Sequence, residues 1–567
     1  MTPAKLGQSR SAPLSFLGPR PTVAIVGTGP TGLYALAQLL AAPLPPAVTL
    51  WEAQGEAGWG SPYAPGLNDP LMLSNIASIE LPPLGETLLS WLRRQPPEEL
   101  ARLGVEPATM DDRTFHPRVV LGEYFRAGLA RLLRGAERRG APVTVRTHRE
   151  VTDLAVQDGG ILLAARAPDG AEERALFDHV VVATGHDWPD RAETAPLFFA
   201  SPWPAHALKR VPAVHLGIRG TSLSAIDALV AVAGAHGAFL RDASGTLRWF
   251  PGQGAEGFRA TLMSRKGILP EADFHVPIPY EPNVAVTPEA VDALVASGRP
   301  DLLDALWELL REEIVGADPD WAAGIGLAAL DADTFPAAWF APREARDPFA
   351  WAALNLAEAR AGYERRHTVP WRYALLRAHE VVERAVPHLS PEDRDRFDRG
   401  LRQVFVDDYA TVPHESVERL LALRAAGRLD VLRLGSDYDL RPAEGGGAVV
   451  AVGAAEHRFA AFVDATGQGA RPVEALPFPT LLAQGAVRPA RARPRGLDEG
   501  GEETAGVELD DAFRPLGLPS GPPPLHLLAL PFLLPRRPFA QGLTGAEELG
   551  RTAARAILGA APVLVSP

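Results

Sequence analysis

The run PTVAIVGTGPTGLYALAQLL, residues 21–40, constrains this chain more than any other stretch. Residues 22–26 (TVAIV) read as a buried parallel strand, and the pattern from 30 to 42 reads as the helix that follows it. Between them lies Gly27-Thr28-Gly29-Pro30-Thr31-Gly32. In a turn of this kind the first glycine makes the strand-to-helix bend, the second admits a diphosphate to the backbone, and the third lets the helix close on the strand. The helix N-terminus adds unpaired N–H groups and a dipole that suits an anion. A second strand, residues 47–53 (AVTLWEA), brings Glu52 to its end, where a carboxylate accepts from ribose hydroxyls. A glycine-rich turn alone is a weak signal. Strand, turn, helix, strand and acidic end in this order make a dinucleotide-binding unit the expectation.

A second strand–turn–helix follows at residues 213–234, AVHLGIRGTSLSAIDALVAVAG. Its turn, Gly220-Thr221-Ser222-Leu223-Ser224-Ala225, is degenerate: Ser222 replaces the middle glycine and Ala225 the last. Serine crowds a diphosphate, whereas alanine still permits close helix packing. The next strand, residues 258–264, ends in Ser264-Arg265-Lys266. No carboxylate stands there to hold a free ribose hydroxyl, and two cations suit the 2′-phosphate of NADPH. The alternatives are a Rossmann-like unit that holds nothing and an ordinary solvated basic turn. Lysines are scarce, only Lys5, Lys209 and Lys266, which marks the last of them.

The chain has 567 residues, too many for a single core. The expected fold class is α/β: two Rossmann-like dinucleotide-binding domains, the second inserted into the first, plus a mostly helical subdomain. The expected divisions are a loose tail over 1–20, a first FAD-binding part over 21–200 and an NAD(P)H-binding domain over 201–286. A helical subdomain over 287–427 and a return part over 428–567 complete the chain. Two blocks of strands, 143–185 and 430–467, each end in Ala-Thr-Gly and read as crossings between the paired domains. A hairpin is expected around RDASGTLRWF. The formal net charge of −13 argues against nucleic acid or an anionic membrane as partner. The apolar stretch at 225–240 is broken by Asp227 and His236, so no membrane span and a soluble cytoplasmic protein are expected. With no cysteine there is no disulfide, thiolate metal site or CxxC pair, and electrons must travel on an organic cofactor.

The motifs GTGPTG, GWGSPY, LSNIAS, FHPRVVLGEYF, VVATGH, GTSLSAID, SRKG, YATVPHESVERLLAL, VDATG and PFAQGLTGAEELG together resemble the FAD/NAD(P)-binding protein family. The resemblance spans nearly everything after residue 20. It extends to N-hydroxylating and Baeyer–Villiger monooxygenases, with the aspartate N-monooxygenase that forms nitrosuccinate looking like a closer relative. It implies FAD on Gly27, Gly29, Gly32 and Glu52, and NADPH on Gly220, Ser222, Ala225 and Arg265. It also implies that QGLTGAEELG caps the flavin side, with Gly542 near the isoalloxazine. The full cofactor-binding set expected is Gly27, Thr28, Gly29, Pro30, Thr31, Gly32, Glu52, Trp59, Gly60, Asn75, Thr184 and Gly185, then Gly220, Ser222, Arg265, Lys266, Gly467, Gln541 and Gly542.

The reading of function is an FAD-dependent, NADPH-using oxidoreductase, a monooxygenase on a small polar molecule such as an amino acid amine. Alternatives are a reductase serving a quinone or protein acceptor, and a non-catalytic flavin-binding protein. A monooxygenase needs a dry pocket. Residues 58–80 offer Trp59 and Leu73 as walls and Asn75 as a donor, or else a surface loop with buried anchors. His116 and Arg118 point to an acidic substrate or flavin, or to an ion pair of Arg118 with Glu123. His186 either touches a cofactor or bonds a backbone carbonyl. Asp407-Asp408-Tyr409 is not read as a metal site, because adjacent carboxylates face apart. His414-Glu415-Ser416 lacks a nucleophile elbow and reads as a helix start. No metal and no catalytic acid–base group is assigned, and the helical subdomain is expected either to cover the pocket or to form a homodimer interface.

Overall fold

The computed structural model describes residues 20–186, 192–492 and 502–559. Apart from Arg20, the expected N-terminal tail lies outside the described residues. The first unit is a parallel sheet in the spatial order Leu525–Leu527, His179–Val182, Thr22–Val26, Ala47–Trp51, Val143–Arg146. Val23, Ala24 and Ile25 have no exposed surface. A central parallel strand is covered on both faces, so it reads as a continuous apolar run rather than an alternating one. The helices Pro30–Ala41 and Arg118–Arg138 pack with this sheet.

The second unit repeats the wiring. Its parallel strands lie in the order Phe198–Phe199, Ala461–Asp464, His215–Arg219, Arg259–Ser264, Leu429–Arg433. In each unit a three-stranded antiparallel sheet precedes the strand that ends in Ala-Thr-Gly. It comprises Glu150–Gln157, Gly160–Arg166 and Glu172–Phe177 in the first, and Tyr438–Pro442, Ala448–Val452 and Ala455–Phe459 in the second. The units differ in what is inserted before that sheet. The first carries a long loop and the helix Arg118–Arg138; the second carries a helical module running from Pro288–Ala296 to His414–Ala425. The expected hairpin is present as Gly237–Arg241 paired with Leu247–Pro251.

This wiring corrects two expected boundaries. Leu429–Arg433 and Ala461–Asp464 pair inside the second sheet, so the chain does not rejoin the first unit at 428. It rejoins after Gly467, through Leu525–Leu527 beside His179–Val182. Likewise Phe198–Phe199 pairs with Ala461–Asp464, so the first part stops short of 200. The reason is that each Ala-Thr-Gly strand still pairs inside its own unit, and the crossing starts only behind it.

The helical module has its own core around Trp307, Phe335, Leu375, Phe397 and Phe405. Trp321 and Trp371 stack there with ring centroids 4.2 Å apart. The module is tied to the segment just after the second unit's basic turn by a buried ion network. Arg372 pairs with Glu271 at 2.9 Å and Asp408 at 3.4 Å, and Arg343 pairs with Asp407 at 2.5 Å. Asp407 and Asp408 therefore serve two different arginines.

Candidate functional site: two glycine cradles and their junction

The first cradle is built by close backbone approach. Gly27 has φ +94°, and a Cβ there would lie 2.4 Å from the Ala183 carbonyl oxygen. A Cβ on Gly32 would lie 2.2 Å from the Gly27 oxygen. These two positions are closed to any side chain, the first by backbone hand as well as by space. Gly29 is different: it is extended, caps the helix Pro30–Ala41 without any side-chain bond, and its nearest neighbour would be the Gly60 Cα at 3.3 Å. Pro30, at the first helical position, lacks the N–H that would need a partner anyway.

Thr28 ties the turn to the acidic strand end. Its hydroxyl donates to Glu52 Oε2 at 2.5 Å and accepts from Gly58 N at 3.0 Å, while Gln54 N donates to Glu52 Oε1 at 3.0 Å. A carboxylate offers about four acceptor sites; with Thr28 N also donating to Oε2 at 3.2 Å, Glu52 is oriented and keeps about one site for a ribose hydroxyl. Gly60, with φ +76°, lies against Gly29 and Pro30. Next to it the Trp59 indole N–H is buried and, among the described residues, has no partner. Thr184 meets Gly27 through its Cα, and Gly185, with φ +71°, has open space where a side chain would be. The contacts therefore gather Gly27, Thr28, Gly29, Pro30, Gly32, Glu52, Gly60 and Thr184 into one place.

Thr31 joins this set from the other side. A Cβ on Gly550 would sit 2.7 Å from both the Thr31 oxygen and the Ala35 nitrogen. The helix Leu543–Ile557 thus crosses the first helix in backbone contact, with Gln541 and Gly542 exposed at its uncapped N-terminus. Asn75 is exposed on the strand Leu73–Ala77 and is not drawn to the cradle by any contact described. An orphaned indole N–H, an uncapped helix start and glycines whose Cβ space is taken by backbone fit an FAD diphosphate and ribose.

The second cradle reproduces the first. Gly220 has φ +127°, and a Cβ there would lie 2.8 Å from the Ala465 oxygen and 3.2 Å from the Ala225 Cβ. Each first glycine therefore presses on the alanine of an Ala-Thr-Gly, Ala183 or Ala465. Ser222 caps the helix Leu223–His236 with an extended backbone and no side-chain bond, and it is exposed. Gly467, with φ +82°, has open space around it. Arg265 is exposed. Lys266 is half-buried, 4.0 Å from Glu344 and over the Phe340 ring at 4.4 Å. Sequence reasoning missed Arg219, which forms a two-pronged pair with Asp464 at 3.1 and 2.5 Å beside this turn. An arginine directly before the first glycine was the available signal.

The loop at 61–72 chiefly joins the two units. Asn68 accepts from the Trp203 indole at 3.0 Å, Asp69 pairs with Lys209 at 2.6 Å, and Arg419 donates to the Leu71 carbonyl. Arg118 pairs with Asp227 of the second unit at 2.9 Å, while Glu123 takes Arg102 and Arg126 instead. The expected Arg118–Glu123 pair is thus replaced by an interdomain one, because the start of the helix Arg118–Arg138 faces the helix Leu223–His236. His116 is buried, which pushes its imidazole down to about 4. His186 Nδ1 meets Gln468 Oε1 at 3.1 Å, joining the two crossings side by side. His414 starts its helix, and its Nε2 lies 2.8 Å from the Asp273 carbonyl.

Sequence reasoning gave no hint of an acid pair where the first unit's loop meets the module. Glu80 accepts from Tyr280 at 2.8 Å and from Ala77 N at 2.9 Å; Asp273 accepts from Tyr363 and, at 3.0 Å, from Thr411. Burial, with Asp273 nearby, pushes Glu80 up to about 7. The folded protein then binds more protons than the unfolded chain from about pH 4 to about pH 7. This contribution is full below the lower value and lost as pH rises through 7. Glu80→Gln should remove that loss, on the order of 2 kcal/mol, in denaturation curves run at pH 5 and pH 8. Identical pH slopes in the two proteins would refute the assignment.

Among known proteins, residues 24–187 match the family model described as FAD-NAD(P)-binding, and residues 287–409 match that of the YdhS-like middle domain. YdhS of Escherichia coli strain K12 is 43% identical over 536 residues, covering 94% of this chain and 97% of its own. Two solved structures share the fold. The ornithine hydroxylase PvdA of Pseudomonas aeruginosa, in its reduced form, has 13% identity and a TM-score of 0.51, covering 95% of this chain and 99% of its own. The FAD-bound cadaverine monooxygenase DfoA of Erwinia amylovora has 11% identity and a TM-score of 0.51, covering 96% and 95%. Among the described residues no helix is long and apolar enough to cross a membrane.

Proposed function

The chain belongs to the YdhS family of FAD/NAD(P)-binding proteins, and from that premise we propose that it is an NADPH-using flavin monooxygenase acting on a small amine. The observation that carries the reading is the repeated cradle: two units wired alike, each with a positive-φ glycine pressed on an Ala-Thr-Gly. Bound FAD would supply the redox chemistry, taking hydride from the nicotinamide and passing electrons to dioxygen. The rest is the chain's own work. Gly29 and the uncapped start of the helix Pro30–Ala41 hold the diphosphate, and Glu52, oriented by Thr28, holds the ribose. Gly220 and Ser222 receive the second diphosphate, and Arg265 takes the 2′-phosphate. The absence of any cysteine removes the thiol route that many two-unit flavoproteins use. The likeness to an ornithine hydroxylase and a cadaverine monooxygenase favours an amino group as the oxygen acceptor.

The test is to release and identify the cofactor, titrate the protein anaerobically with NADPH and NADH, and then follow oxygen uptake against a panel of amines, sulfides and ketones. Bleaching by NADPH followed by amine-dependent oxygen uptake supports the reading. Turnover that needs a quinone or dye and ignores oxygen would instead make the protein a reductase. Arg265→Ala should raise KM for NADPH about tenfold, a loss of about 1.4 kcal/mol, and leave that for NADH unchanged. An equal change with both nucleotides would remove Arg265 from the 2′-phosphate.

A further inference from the structure

The ends of the strands Arg259–Ser264 and Leu429–Arg433 are laced together. Leu434 N donates to the Ser264 carbonyl at 2.9 Å and Gly435 N to the Arg265 carbonyl at 3.0 Å. A Cβ on Gly267 would lie 2.8 Å from the Arg433 Cβ, so Arg433 flanks the turn that carries Arg265 and Lys266. Three cations therefore meet where the second cradle would present the ribose of its nucleotide. Two are already engaged by one carboxylate from the helical module. Glu344 pairs with Arg433 at 2.7 Å and stands 4.0 Å from Lys266, whose ammonium also rests on the Phe340 ring one turn earlier in the same helix.

Glu344 is held there. It is the last residue of the helix Phe335–Glu344, where the helix dipole disfavours a negative charge. Its neighbour Arg343 is buried and fixed by Asp407 at 2.5 Å and by the Leu269 carbonyl at 2.7 Å, so the helix end cannot swing away alone. Arg265, by contrast, is exposed, and among the described residues it has no carboxylate partner.

We propose that Glu344 is a specificity-determining residue: it competes with the 2′-phosphate for Lys266 and Arg433, so that the helical module limits the affinity for NADPH. A 2′-phosphate landing on Arg265 would have to displace the Glu344 carboxylate from the other two cations or endure its charge. The inference rests on the NADPH reading of the second cradle. Its consequence is linkage: filling the nucleotide site loosens a contact that the module otherwise keeps.

The experiment is calorimetric titration of the FAD-loaded protein with 2′,5′-ADP and with 5′-AMP, in wild type, Glu344→Gln, Glu344→Ala and Arg265→Ala. Both Glu344 variants should bind 2′,5′-ADP at least fivefold more tightly, with 5′-AMP changed less than twofold. Arg265→Ala should weaken 2′,5′-ADP alone. If Arg265→Ala weakens it while both Glu344 variants leave it unchanged or weaker, the role of Glu344 is overturned and the site stands. If 5′-AMP gains as much as 2′,5′-ADP, Glu344 acts on the whole nucleotide and the proposal is wrong. If wild type and all variants bind neither ligand, the NADPH reading falls and takes this inference with it.

Discussion

Gly29→Ala is expected to empty the protein of flavin while leaving its fold in place. The Gly29 backbone is extended, with φ −72°, so alanine brings no strain, and the new methyl would meet only the Gly60 Cα at 3.3 Å. A shift of a few tenths of an ångström accommodates it. A diphosphate drawn to the helix start has no such freedom, because its oxygens must reach the amides that the methyl would screen. The variant should purify with less than about a tenth of the wild-type flavin absorbance per chain and a thermal midpoint near that of flavin-free wild type. Gly27→Ala is the contrasting case. There the Cβ would lie 2.4 Å from the Ala183 oxygen in a backbone that alanine avoids, a penalty of about 1–3 kcal/mol before the clash is counted. That variant should lose stability and flavin together. A Gly29→Ala protein that stays fully yellow would show that the diphosphate lies elsewhere.

The largest stability effect should come from Arg372→Met. Arg372 is buried and holds Glu271 at 2.9 Å while stacking on the Phe274 ring at 4.3 Å. Around two guanidiniums stand three carboxylates. Burial, with Asp407 and Glu271 close by, pushes Asp408 up to about 8, so at neutral pH it keeps its proton and two negative charges face two positive ones. Methionine fills the space but leaves Glu271 with the Trp351 indole N–H, at 2.9 Å, and, as its one cation among the described residues, the distant Arg343 at 3.9 Å. Breaking a buried pair in this way costs about 3–5 kcal/mol. Arg441→Ala, at an exposed pair with Glu456, should cost less than about 1 kcal/mol. Denaturant curves followed by far-ultraviolet circular dichroism would carry the module's helices in their signal. The pH sign is also fixed. Asp408 binds its proton more tightly folded than unfolded, so this part of the stability declines as pH rises from about 4 to about 8. In Arg372→Met the cation that holds Asp408 down is gone, and the decline should run to higher pH. Equal midpoints for Arg372→Met and Arg441→Ala would show that the network does not bear on the fold.

What the sequence disclosed follows a physical line. Gly27, Gly32, Gly220 and Ala225 were legible because backbone hand and backbone contact leave few residues able to stand there. The order of strand, turn, helix and acidic end was legible for the same reason. The helical module appeared as a long helical pattern between strands. Contacts between distant segments were not legible. Nothing near Arg118 in sequence announces Asp227, and Glu123 lies far closer along the chain. Glu80 and Asp273 are far apart in the chain, and each looks like an ordinary surface acid until burial raises both. The boundary expected at 428 is displaced because a parallel sheet places its strands by crossover and not in chain order, so Leu429–Arg433 lies beside Arg259–Ser264.

The paired crossings carry one more implication. The chain leaves the first unit behind Gly185 and re-enters it behind Gly467, and His186 and Gln468 fasten these two strands of linker to each other. Two tethers fastened side by side behave like the pins of a door: they leave one axis open to swinging and resist sliding. Any swing about that fastening would also have to part the ties of Arg118 to Asp227 and of Asp69 to Lys209.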